Sequence, residues 1–232
     1  APILLQKLGY PPVVGRDLTL AMTKHRLEDY EKGSTKKLKT IQIKSVDDRM
    51  RLGNFNISFF PIEHSIMDAV GVTIQTPVGT ILHPGDWTLE KDKAGKPVLD
   101  YTHLSKLSKR PTILMMESLG AVDVRKSAST YEMQKNLTSL VNNAPGRVII
   151  GTFSSQIERI SWILKMAEKL DKKVALDGYS MKMNIEISKK LGYIKYKKGT
   201  VIKTKQIDSY PDNKIIVLCT GAQGESNAVL SR

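Results

Sequence analysis

Phe60-Pro61-Ile62-Glu63-His64-Ser65-Ile66-Met67-Asp68 is followed, after one apolar hairpin, by His83-Pro84-Gly85-Asp86-Trp87. An apolar run (Ile57, Phe59, Phe60, Ile62) leads into His64, so the histidine closes a strand. Residues 70–76 and 80–82 read as the hairpin that comes next, turning at Pro77-Val78-Gly79. Asp86 stands just past the second strand, after a glycine that lets the backbone bend tightly. A histidine and an aspartate are thereby delivered to the same end of two strands. Imidazole nitrogen and carboxylate oxygen suit zinc, and a carboxylate with two free oxygens can bridge two ions. The pair reads as half of a dinuclear metal site, although on spacing alone a His and an Asp after strands are more often hydrogen-bonding residues.

Working outward, strands and helices alternate along the chain, which predicts an α/β layered fold. Residues 1–8 read as the end of a helix broken by Pro11-Pro12, and Val13-Val14 enters a short strand. Asp17 or Thr19 is expected to cap a helix that runs to about Glu31 and stops at Lys32-Gly33. Residues 38–43 and 54–62 read as strands joined across a polar turn at Asp47-Asp48. A charged, irregular stretch at 90–110 precedes an apolar strand at 112–116 that ends on Glu117. From about Val124 the pattern becomes helix (129–142), strand (147–151), helix (156–170), strand (173–176), helix (181–191) and a buried strand (214–219). In the second of these helices Ile157, Ile160, Ile163, Leu164 and Ala167 share one stripe. The change of style places a domain boundary near residue 123.

The 232 residues are enough for one large domain or two smaller ones, with 41% apolar residues to bury. The 36 Lys and Arg against 23 Asp and Glu leave a formal charge of +13, which fits a polyanionic partner or simple solubility. One cysteine, Cys219, excludes an internal disulfide and suits a reducing compartment. No apolar run approaches bilayer-spanning length. Residues 189–205 carry seven lysines and no acid, with Tyr193 and Tyr196 between them, and read equally as a solvated face or a strand-tracking surface. Alternation sends His83 and Asp86 to different sides of their strand, which argues against His83 as a ligand, and His25 and His103 read as surface or structural.

The segments His64-Ser65-Ile66-Met67-Asp68, Gly85-Asp86, Met116-Glu117-Ser118, Thr152-Phe153-Ser154-Ser155, Gly178-Tyr179-Ser180-Met181 and Cys219-Thr220-Gly221-Ala222-Gln223-Gly224-Glu225 follow one another in that order. Together they resemble the metallo-β-lactamase nucleases of the β-CASP group, and within it the ribonuclease J family. The corresponding wording there is His-Ser-Ile-Pro-Asp, Gly-Asp, an acidic residue before Ser, Thr-Phe-Ala-Ser, Gly-Arg-Ser-Met and Thr-Gly-Ser-Gln-Gly-Glu. Tyr179 stands where the family carries arginine, which removes one cation from that turn.

The resemblance implies an α/β fold in two parts, a partial metallo-β-lactamase αββα sandwich over 1–123 and an inserted β-CASP α/β domain, also partial, over 124–232. It implies two zinc ions in the complete protein, with His64 a ligand to one and Asp86 the bridging carboxylate. Glu117 and Asp68 would then support catalysis, each having a plainer reading as a cap or turn residue. RNA contact is expected at Phe153, Ser154, Ser155, Ser180, Gly221, Gln223 and Gly224, on loops that follow strands, where ordinary turn chemistry is the alternative. The implied activity is 5′–3′ exonucleolytic and endonucleolytic hydrolysis of RNA, preferably 5′-monophosphorylated, by a cytoplasmic homo-oligomer with no membrane partner. The family's His-x-His-x-Asp-His and His-x-Ser-Gly-His motifs are not found, since the four histidines are His25, His64, His83 and His103. The chain is therefore expected to be an internal fragment, inactive alone. The rival readings are another β-CASP nuclease acting on DNA or pre-mRNA, and a non-catalytic RNA-binding relative.

Overall fold

The computed structural model describes residues 2–231 apart from 91, 93–95, 103, 106–110, 124–128, 223 and 225–227. His103, Gln223 and Glu225 lie outside the described residues, and Val229–Ser231 forms a 3₁₀ turn. The chain divides into two compact units, residues 1–64 with 68–131 and residues 65–67 with 132–232.

The first unit is built on a five-stranded sheet of order β3-β4-β5-β6-β7. Its strands are β3 (Arg49–Leu52), β4 (Phe55–Pro61), β5 (Val70–Gln75), β6 (Thr80–Gly85) and β7 (Thr112–Met116). Neighbours are antiparallel from β3 to β6, and β7 joins β6 in parallel at the edge. Phe59 and Phe60 at the end of β4 are buried, which fixes the register of the apolar run that leads to His64. Helix α1 (Pro2–Lys7) is followed by α2 (Asp17–Tyr30), whose Leu18, Leu20 and Leu27 are buried.

Two sequence expectations are corrected here. Residues 38–43 do not pair with the strand before His64. Instead β2 (Thr40–Gln42) lies parallel to β1 (Val13–Gly15) in a separate two-stranded sheet, with Val13 opposite Thr40. The true partner of β4 is β3, whose Arg-Met-Arg-Leu alternates polar and apolar residues but over four positions alone, the shortest run in which a strand period can be read. The polar turn serves a different end: the Asp48 carboxylate accepts the N–H groups of Lys44 and Ser45 and folds the chain between β2 and β3. The α2 N-cap is Arg16, which makes no side-chain cap, so neither Asp17 nor Thr19 holds that place.

The second unit carries a four-stranded parallel sheet of order β10-β9-β11-β8. Its elements are α3 (Thr130–Asn143), β8 (Val148–Gly151), α4 (Ile157–Lys169), β9 (Lys173–Asp177), α5 (Tyr179–Lys190), β10 (Val201–Ile202) and β11 (Ile215–Cys219). The stripe Ile157, Ile160, Ile163, Leu164 and Ala167 on α4 is completely buried, together with Ile215, Ile216 and Leu218 of β11 between its two neighbours. All four strands run the same way. Arg147, Lys172, Thr200 and Lys214 therefore mark the edge where strands begin, and Thr152, Gly178 and Thr220 the edge where they end.

Candidate functional site

In the first unit the ends of β6 and β7 are side by side, because Gly85 pairs with Met116 across a bulge that starts after Leu82. Asp86 and Glu117 are the next residues on those two parallel strands, so two carboxylates leave the sheet at adjacent positions. Gly85 has a φ of +75°, a left-handed turn that a side chain would strain, and it swings the chain into Asp86. An isolated antiparallel bridge between Glu63 and Thr88 draws the His64 segment beside the Asp86 segment. His64, Asp86 and Glu117 thus all follow strand ends on the same side of one sheet.

The side chains differ in what engages them. His64 is half-buried, and its Nδ1 is enclosed with no hydrogen-bond partner, which leaves a nitrogen free to serve as a ligand. Asp86 is exposed, and among the described residues nothing occupies its carboxylate. One Glu117 oxygen accepts the Leu119 N–H at 3.0 Å, a cap on its own turn that leaves the other oxygen available. Among the described residues no three His, Cys, Asp or Glu side chains cluster closely enough to hold a metal ion. The donor chemistry of His64 and Asp86 fits zinc, and the pair alone is short of a full ligand set.

Asp68 is held elsewhere. It is buried, and its two oxygens accept the Thr19 N–H at 3.0 Å and the Thr19 hydroxyl at 2.8 Å. It thereby caps the first turn of α2 from 49 residues away, the service that Arg16 does not give. His83 also has a partner: its Nδ1–H donates to Met115 O at 2.9 Å, tying β6 to β7. The alternation argument about His83 and Asp86 does not apply, because the bulge breaks the alternation between them. His25 lies 3.4 Å from Asp29 on the same face of α2.

A polar strap around Glu63 escaped the sequence reading. Glu63 O accepts both the N–H and the hydroxyl of Thr88, its Oε2 accepts the Glu90 N–H at 2.9 Å, and the Glu90 carboxylate accepts the Thr130 hydroxyl. This strap holds the loop after Asp86 against the residue before His64. Burial pushes the Tyr101 phenol up, and the negative charge of Glu63 adds to that. The available signal was a glutamate at the end of an apolar run, in the position next to the histidine.

In the second unit the strand-end edge gathers Thr152 to Ser155, Gly178 to Ser180 and Thr220 to Ala222. Phe153 is exposed and Ser180 half-buried, while Ser154 O accepts the Asn184 amide at 2.9 Å, and Ser155 O accepts the Ile157 N–H that opens α4. Thr152 is buried and its hydroxyl has no partner. Gly221 has a φ of +121°, and a Cβ there would stand 2.7 Å from Cβ of Leu230, so the chain itself fills the space beside it. At Gly224 a Cβ would meet nothing within 4 Å among the described residues. Asp177 accepts the Gly178 N–H, and burial, with Asp177 nearby, pushes the Cys219 thiol up.

Residues 145–232 match the family model for the β-CASP domain of ribonuclease J. Over its full length the chain is 34% identical to Ribonuclease J of Thermus thermophilus, of which it covers 40%. The chain resembles the ribonuclease J family along its whole length. It is 32% identical to Ribonuclease J of Mycoplasma genitalium, over 99% of this chain and 40% of that one, and 33% identical to Ribonuclease J of Corynebacterium glutamicum, over 100% and 32%. The chain therefore spans about 40% of the length of the first two of these relatives. A crystal structure of a protein of unknown function from Enterococcus faecalis V583 matches with a TM-score of 0.64 at 16% identity, over 91% of this chain and 54% of that one. At that identity the likeness speaks to the fold alone; the chain's own mixed α/β architecture, with several sheets, is consistent with a β-CASP domain of the metallo-β-lactamase family.

Proposed function

We propose that the protein carrying this chain is a zinc-dependent ribonuclease. In this reading residues 1–123 belong to its metallo-β-lactamase domain and 124–232 to its β-CASP domain. The observation that carries the proposal is the placement of His64, Asp86 and Glu117 after strand ends on the same side of one sheet, fixed by the Gly85–Met116 register and the Glu63–Thr88 bridge. The family resemblance and the basic balance of +13 support RNA as the substrate.

Two zinc ions held there would lower the pKa of a water toward neutrality and offset charge on the phosphate being cleaved. Of the residues in this chain, Asp86 offers a carboxylate able to bridge and His64 a ring nitrogen for one ion. Both need further ligands from the complete protein, so the 232 residues alone are expected to cleave nothing. Glu117 would hold a ligand or the water in orientation through its second oxygen. Asp68 is a positioning residue: through Thr19 it fixes the loop that follows His64. Phe153, Ser154, Ser155, Ser180, Gly221, Gln223 and Gly224 would contact the RNA, with the ring of Phe153 offering a face for a base. Gly221 acts there through its backbone, since Leu230 occupies its other side. The substrate is RNA with a 5′-monophosphate, cut from that end and internally, by a cytoplasmic homo-oligomer. No helix among the described residues is long and apolar enough to cross a membrane.

The test is hydrolysis of 5′-monophosphorylated RNA by the complete protein, with zinc content measured on the same samples. His64→Ala and Asp86→Asn should each lower turnover by more than about 100-fold, beyond the usual loss for a residue that only supports a ligand, and should reduce bound zinc. Full activity in either variant would sink the assignment.

A further inference from the structure

The lysine-rich segment 189–205 plays no part in the site described above, and the fold of the second unit gives it a definite place. It leaves α5 at Lys190 and runs to the edge where the parallel strands begin, entering β10 at Val201. The strand-end loops with Phe153, Ser180 and Gly224 lie at the opposite edge of the same sheet. Up to Thr200 the segment is therefore a separate surface, and Lys203 and Lys205 follow the end of β10.

Its charge is not compensated. The acids at this end of the unit are already engaged: Lys214 pairs with Asp171 at 2.9 Å, and Arg147 with Asp208 at 2.7 Å and Asp212 at 2.8 Å. Glu186 pairs with Lys190 at 2.9 Å, and Glu168 accepts the Lys197 N–H and the Thr200 hydroxyl. Lys195, Lys197, Lys198, Lys203 and Lys205 are exposed, and among the described residues none of their ammonium groups has a carboxylate partner. Lys189 sits 4.3 Å from the centre of the Tyr196 ring, which orders one more cation beside them. Helix-end stabilisation accounts for Lys189 and Lys190. It does not account for the five that follow, and Glu168 anchors the loop that displays Lys195, Lys197 and Lys198 through backbone and hydroxyl contacts rather than through an ion pair with their ammonium groups.

We infer that this surface is a second RNA-contact surface, a track for the sugar-phosphate backbone of a single strand that is indifferent to sequence. It rests on the reading of the protein as a ribonuclease and extends the RNA path beyond the strand-end loops. Lysines act on phosphates as point charges, so contact here adds affinity and salt dependence without base preference.

The experiment uses the complete protein, kept metal-free so that no cleavage occurs, and measures binding of a fluorescein-labelled, unstructured oligouridylate across a salt series. One variant carries Lys195→Gln, Lys197→Gln, Lys198→Gln and Lys203→Gln. A second loses the same charge from exposed lysines of the first unit, as Lys24→Gln, Lys32→Gln, Lys36→Gln and Lys39→Gln. The first variant should weaken binding by at least about ten-fold at low salt and reduce the slope of log affinity against log salt by about 0.7 for each lysine that meets a phosphate. The second should change both by much less. Equal losses in the two variants would make net charge the whole cause and overturn the inference, as would unchanged binding in the first. Because binding is read without metal, a failure of the hydrolase assignment leaves this result standing.

Discussion

β7 and β11 are both five-residue apolar strands, Thr-Ile-Leu-Met-Met and Ile-Ile-Val-Leu-Cys, and each hands the chain to a candidate site at its last residue. Their surroundings are opposite. β11 runs between β8 and β9, and Ile215, Ile216 and Leu218 are wholly buried. β7 lies at a sheet edge with β6 as its one strand neighbour, and Ile113 is 62% and Leu114 56% exposed. An apolar run shows that a segment is a strand, but what covers the strand is decided by residues far away. A consequence reaches the sites: the Thr220 loop is held by strands on both sides, whereas Glu117 depends on β6 and on the His83–Met115 hydrogen bond.

Leucine truncation should expose this contrast most sharply. Leu218→Ala is expected to cost about 2–5 kcal/mol, the transfer of lost methyl groups plus a cavity that neighbours on both sides cannot close. Leu114→Ala in the same 232-residue chain should stay within about 0.5 kcal/mol, as for other exposed positions. Chemical denaturation of the two variants measures both. Repeating Leu114→Ala in the complete protein sharpens the comparison further, since a cost there close to that of Leu218→Ala would mean that β7 is covered in the whole molecule.

Where apolar cover is thin, the first unit uses long-range polar ties. Asp68→Ala removes two hydrogen bonds to Thr19 and leaves the N–H at the start of α2 without its partner, at a cost of about 1–3 kcal/mol. Asp68→Asn keeps one acceptor and should recover part of it. If both variants unfold like the parent, the tie contributes nothing, and the loop after His64 is positioned by other contacts.

These two units also divide what was legible in the sequence from what was not. The hairpin carrying Asp86, the α4 stripe and the strand ending on Glu117 could be read because periodicity and turn residues are local signals. The pairing of β2 with β1 could not, since a strand pattern names no partner. β3 alternates over four residues alone and lies at an edge, and β10 has two residues, so the period in each is too short to stand out. At the candidate site, His64 and Asp86 were visible as strand-end residues. The bulge after Leu82, the Thr19 partner of Asp68 and the packing of Leu230 on Gly221 arise only from tertiary geometry.

The smallest effect expected concerns Glu168, the acid that anchors the lysine loop of the second unit. Hydrogen bonds from the Lys197 N–H and the Thr200 hydroxyl hold its carboxyl below the ordinary value of 4.5, with Lys197 and Lys165 adding charge in the same direction. A carboxyl whose value is lower in the folded state contributes stability that is present above pH 4.5 and is lost as the pH falls through the folded value. Unfolding measured from pH 6 downward should therefore show a component that disappears in Glu168→Gln, while the two proteins converge at the acid end. The lysine loop would then be held less firmly at low pH in the parent and at every pH in the variant, whose amide oxygen still accepts these bonds but without the charge that strengthens them. Oligouridylate binding to Glu168→Gln separates two ways in which the lysine surface could work. A drop at neutral pH, with all lysines still present, would mean that the loop must be held in shape to meet a phosphate backbone. Unchanged binding would mean that charge alone suffices, and the comparison of rigid and loosely held regions would end at the strand tips.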